Sequence, residues 1–231
     1  MTETMAARRR RQFSWGGWAG VAGVVIPIIG VLIQPIWTFP ATTASGAHVA
    51  EFVAAHHAAL QATMVANTIG VNLWLVFGAS VWARLNASLS ATSMIPTCFA
   101  AGLVAFVTLL LAGFTAFDLL VYRQPDPSQA QLLYDLAFGL LAMSGMPTAA
   151  ALGAYAVAVY RDRILPRHTG HLAAAAAAAH VLLLLSFIVR TGFFSLEGAV
   201  ISVIPALLFA WIADTGWCLI RIDSTLRKVR S

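Results

Sequence analysis

Charge is scarce in this chain: Asp, Glu, Lys and Arg together make up 10% of its 231 residues, where an ordinary soluble domain carries about 25%. That scarcity excludes a water-soluble fold, because a surface of this size would be left largely apolar. Cysteine is nearly absent as well. Cys98 and Cys218 map to the cytoplasmic ends of their helices in the topology drawn below, where the compartment is reducing, so no disulfide and two free, partly buried thiols acting as small apolar groups are expected. Also missing are His-Glu-x-x-His, Cys-x-x-Cys and a Gly-rich phosphate loop, which argues against a zinc protease, a redox dithiol and a nucleotide-driven pump. The expectation is therefore no cofactor and no metal.

What is present is apolar and comes in long runs. Hydrophobic residues make up 60% of the sequence and the mean hydropathy is +0.82. Six runs stand out, at 16–39, 58–83, 94–121, 132–160, 170–190 and 199–220, each long enough for a helix across a hydrocarbon layer of roughly 30 Å. They are continuously apolar and rich in Ala and Leu, which favours helices over alternating barrel strands. The fold class expected is an all-α membrane protein, a bundle of six transmembrane helices over 16–221, with a basic segment at 1–15 and a basic tail at 222–231.

The basic residues orient that bundle. Twelve of the fourteen Lys and Arg residues fall on one side once the six helices are drawn: Arg8 to Arg11, Arg84, Arg161, Arg163, Arg167, Arg221, Arg227, Lys228 and Arg230. Only Arg123 and Arg190 lie opposite, so both termini are expected to face the cytoplasm, in a multi-pass protein of the cell membrane. Arg10-Arg11-Gln12-Phe13 is like part of a twin-arginine export signal. The apolar run after it is longer than a signal-peptide core and contains Pro27 and Pro35, so it is expected to stay as the first span. A net charge of +5 is compatible with nucleic acid, but the cations sit at helix ends without interleaved aromatics, and membrane lipid is the expected partner instead. Helix-embedded prolines, Pro27 among them, each leave a backbone carbonyl for a neighbour to satisfy. Gly145, Ala149, Gly153 and the run Ala173 to Ala179 predict close packing of the fourth and fifth spans. Between Pro40 and His57 a short helix is expected at the outer surface, with Val49, Phe52 and Val53 on one face.

Polar groups inside the apolar runs are the candidate site residues. Successive helical residues turn about 100°, so His57, Gln61, Thr68 and Asn72 share one stripe on the second span. Such a stripe should face the bundle or a wet cavity, where it would either bond neighbouring helices or hold a ligand. Asn67 falls on a different face. Asp118, Asp135, Arg190 and Glu197 gather with Glu51, His56 and His57 at the outer boundary, where Arg190 with either Asp could form a clamp or part of a ligand site. His180 near mid-membrane and Asp214 nearer the cytoplasm are isolated ionisable groups. His57 and His180 differ in depth by roughly 15 Å, at 1.5 Å per residue, which speaks against one haem iron held between them.

The stretches Asp126-Pro-Ser-Gln-Ala-Gln-Leu-Leu-Tyr-Asp135, Ser144-Gly-Met-Pro147 and Leu165-Pro-Arg-His-Thr-Gly170, with Ala50-Glu-Phe-Val-Ala-Ala-His-His57, carry a resemblance. On them the chain resembles small six-helix integral-membrane proteins of actinobacteria grouped as a domain of unknown function. The resemblance implies a bacterial plasma-membrane protein and brings no activity with it. The function expected is binding or moving a small lipophilic or amphiphilic molecule through an outer-opening pocket lined by the second-span stripe. Alternatives are an isomerase or cyclase, haem-dependent or not, acting on a lipophilic substrate, and a structural or regulatory subunit. Homo-oligomerisation is open.

Overall fold

The computed structural model describes residues 2–41, 43–189, 192–196 and 200–228, except for the side chains of 2–13, 200–202 and 222–228. Among the described residues every regular element is helical. The helices are α1 (Thr2–Ile33), α2 (Gly46–Ala55), α3 (His57–Ser88), α4 (Ile95–Arg123), α5 (Pro127–Met143), α6 (Gly145–Asp162), α7 (Arg167–Leu182) and α8 (Val200–Lys228). Six stretches are long and apolar enough to cross a membrane: Ser14–Thr38, His57–Ser88, Ile95–Arg123, Pro127–Asp162, Arg167–Phe187 and Val203–Arg221. An even number of spans puts both termini at one end of the bundle, called here the terminal face.

Local chemistry sets the element ends. Ser45 opens α2 by accepting the His48 amide hydrogen at 3.3 Å. Asp126 opens α5 with Pro127 behind it, its carboxylate accepting from the Ser128 hydroxyl and from the Ser128 and Gln129 amides. Those bonds, the Ser128 hydroxyl first, hold the Asp126 carboxyl below the usual carboxylate range because each favours the ionised form. Gln124 and Arg163 close α4 and α6 in left-handed conformations.

The fourth span, expected as one helix, is two. Pro147 has no amide hydrogen to offer the Met143 carbonyl, and the ladder breaks at Ser144. Its hydroxyl donates to the Leu141 carbonyl at 2.6 Å, while the Thr148 hydroxyl donates to the Ser144 carbonyl at 2.7 Å. The Ser144 bond spans the interruption, whereas the Thr148 hydroxyl joins the Thr148 amide, which still donates to the same Ser144 carbonyl at 3.1 Å.

The spans form a closed ring in which α1 packs on α3, α3 on α4, α4 on both α5 and α6, α6 on α7, α7 on α8 and α8 back on α1. The ring is filled by Trp74, Phe77, Phe99, Tyr155, Trp211 and their aliphatic neighbours. Away from the terminal face, α2 lies on α5, and Val49 and Val53 join Phe117, Tyr134 and Phe138 in a second core. The expected pairing of the fourth and fifth spans is present, with Ala173 and Ala176 fully buried. Gly145 and Gly170 lie at that seam, whereas a side chain at Gly153 would meet nothing.

Pro27 shows how proline is accommodated. It strands the Gly23 carbonyl four residues earlier, and the Trp74 indole N–H of α3 donates to that oxygen at 2.9 Å. Trp74→Phe keeps the ring stacked on Phe106, 5.7 Å between centroids, but leaves the oxygen bare. A loss of about 1–3 kcal/mol is expected, the usual cost of an unsatisfied buried acceptor. Thermal unfolding of the purified variant in detergent measures it.

Candidate functional site

A cavity of about 600 Å³ lies inside the ring on the side of α1 and α8. These two helices meet closely near the terminal face, where a Cβ on Gly17 would lie 2.6 Å from the Gly216 carbonyl oxygen and a Cβ on Gly216 2.8 Å from that of Gly17. Beyond that contact they form a wedge. The cavity begins on α1 at Val24 and on α8 at Ala213, and runs to Leu32, Trp37 and Pro205 at the other end. Its exposed lining residues include Ile28, Leu32 and Trp37 from α1 and the turn after it, and Ala206 and Ala210 from α8. Trp74, Phe106, Ser144, His180 and Leu208 are buried lining. A rim on α1 and α8 over such a floor means that the mouth opens sideways between those helices, toward what would be lipid.

The walls are hydrocarbon and aromatic, with three polar side chains from three directions: Asn67, Ser144 and His180. His180 is 3% exposed, and its Nδ1–H donates to the Ala176 carbonyl at 2.7 Å. That bond fixes the proton on Nδ1 in the neutral ring and leaves Nε2 as an acceptor. The Ser144 hydroxyl already donates to Leu141, so only its lone pairs are free. Asn67 has no hydrogen-bond partner among the described residues and offers both a donor and an acceptor. Gly145 brings Ser144 and His180 together, since a Cβ there would sit 2.5 Å from the His180 carbonyl oxygen. No Asp or Glu lines the cavity among the described residues.

The stripe read from the sequence lies elsewhere. His57 begins α3 and is half-buried, Thr68 is half-buried, and Gln61 and Asn72 are exposed. Asn72 satisfies itself, its amide donating to the Thr68 carbonyl at 2.8 Å. None of the four lines the cavity, and α3 instead buries Leu60, Thr63, Met64, Val71 and Trp74. Asn67 reaches the cavity because one residue of helix turns the side chain by about 100° from Thr68. Asp118 is exposed, and Asp135 is half-buried with Oδ1 lacking a hydrogen-bond partner. Arg190 and Glu197 lie outside the described residues. Glu51 is exposed on α2, and the exposed His56 ring packs on Phe52, donating from Nδ1 to the Phe52 carbonyl at 2.9 Å. Both cysteines are free thiols.

The signals for the actual lining were the Ser144-Gly-Met-Pro147 interruption, the mid-span His180, and Asn67, an amide of α3 outside the stripe. No family model, curated protein or solved structure matches the chain.

Proposed function

We propose that this is a bacterial plasma-membrane protein, both termini cytoplasmic and α2 at the outer surface, that binds a small lipophilic or amphiphilic molecule in the wedge between α1 and α8. The observation that supports it is the cavity itself. Its volume of about 600 Å³ falls within the roughly 300–1,000 Å³ usual for sites holding a small organic ligand, and its walls are apolar apart from a few polar groups. A sideways mouth lets a molecule dissolved in the bilayer enter without crossing water. His180 Nε2 accepts a hydrogen bond and Asn67 can both donate and accept, which suits a ligand with a hydrocarbon body and a hydroxyl head. An isomerase or cyclase working through a carboxylic acid is less well supported, because no carboxylate reaches this space among the described residues. The basic face of the bundle supports the orientation.

The reading is tested with the full chain in detergent and a pyrene-labelled fatty alcohol as probe. Saturable binding is expected, and Ala210→Trp, which plugs the rim, should weaken it at least about tenfold, the loss of roughly 1.4 kcal/mol. Equal retention by the plugged variant would place the probe elsewhere and refute the site.

A further inference from the structure

At the terminal face, away from the cavity, three side chains of metal-ligand type converge. His168 is the second residue of α7. Asp214 and Cys218 stand four residues apart on α8, and so on one face of it. His168 Nε2 lies 3.2 Å from Asp214 Oδ2 and 3.7 Å from Cys218 Sγ, and all three atoms fall within 4.8 Å of one another. Ligand atoms at 2.0–2.3 Å from a tetrahedral zinc ion are spaced by about 3.3–3.6 Å, so the two shorter separations already approximate edges of a coordination tetrahedron.

An ion pair between His168 and Asp214 is the simpler alternative, and the geometry is poor for it. Asp214 Oδ2 is buried and has no hydrogen-bond partner despite the nearby imidazole nitrogen. A buried carboxylate oxygen without a donor is costly, and a cation seated between oxygen, nitrogen and sulfur removes that cost. Charge also balances, because one thiolate and one carboxylate neutralise a dication at this half-buried position. The donor set selects the metal: Mg²⁺ and Ca²⁺ take oxygen ligands, whereas sulfur with imidazole suits zinc and its neighbours. The His168 side chain is 57% exposed, which gives the ion a path from the aqueous side.

We propose that His168, Asp214 and Cys218 form a binding site for a zinc-class divalent ion, with a fourth position for water. Such an ion fastens the start of α7 to the second half of α8 at the terminal face, across residues 50 apart in sequence. Cobalt(II) is the probe, because a thiolate-to-cobalt charge-transfer band reports sulfur ligation directly. Purified full-length protein, stripped with chelator and kept reduced, should take up one Co²⁺ per chain with that band, and Zn²⁺ should displace it. Cys218→Ser should abolish the band and Cys98→Ser should leave it intact. His168→Ala, at an exposed position where folding is not at stake, should weaken cobalt binding at least about tenfold, as loss of even a supporting partner often does. Absence of the band in the parent protein, or equal uptake by Cys218→Ser and His168→Ala, would reduce the cluster to a His–Asp contact beside a thiol and overturn the proposal.

Discussion

Protein carrying His180→Leu is expected to hold the pyrene-labelled fatty alcohol about 5- to 150-fold more weakly than the parent, while binding the corresponding pyrene-labelled hydrocarbon no worse. The range is that of one buried hydrogen bond left unmade, roughly 1–3 kcal/mol. The tautomer of His180 sets this preference. Because Nδ1–H is held by the Ala176 carbonyl, Nε2 can only accept, and the partner it accepts from must carry a hydroxyl or amine hydrogen. Leucine fills similar space, and the Ala176 carbonyl keeps its helical amide partner, so the fold should survive. The head-group comparison makes the experiment decisive: equal losses for alcohol and hydrocarbon would mean that His180 only shapes the cavity, and no loss for either would move the head group to Asn67 or out of the site.

The six spans were legible from composition because a bilayer permits few solutions: a continuous apolar run must be helical, and its length sets the crossing. Chemistry carried by single residues read unevenly. Pro27 announced a stranded carbonyl, and the Trp74 indole supplies its partner. Pro147 announced a similar fault, but the helix breaks there instead of bending, and the Ser144 hydroxyl spans the break by donating to the Leu141 carbonyl. The stripe from His57 to Asn72 misled because a polar face in a span can be satisfied by its own helix. The Asn72 amide does so by bonding the Thr68 carbonyl, so its exposure carries less cost than an unpaired amide would. Asn67, one residue from the stripe, meets the cavity. Gly70 of α3 meets Pro27 and Gly23 of α1 across their seam, a close approach that helical periodicity alone does not reveal. The His168, Asp214 and Cys218 cluster was invisible for a different reason: only the ring closure of α7 on α8 brings its members together.

That seam gives the second large effect, a stability loss of about 2–5 kcal/mol for Gly70→Val, summing overpacking and a broken buried hydrogen bond. A Cβ on Gly70 would lie 2.2 Å from Pro27 Cγ and 3.0 Å from the Gly23 carbonyl oxygen, and a Cβ on Gly23 would lie 3.0 Å from the Gly70 oxygen. Neither helix backbone can give way cheaply, since the proline ring is rigid and the opposing atom is main chain. Valine must therefore push α1 off α3, lengthening the Trp74 to Gly23 bond and distorting the cavity wall at Val24, Pro27 and Trp74. Gly153→Val is the matched control. It adds the same groups to a helix in the same bundle but meets nothing within 4 Å, so its unfolding midpoint in detergent should stay near the parent's. If the two variants unfold alike, α1 and α3 are not in close contact at Gly70, and the wedge that depends on their packing would have to be abandoned with it.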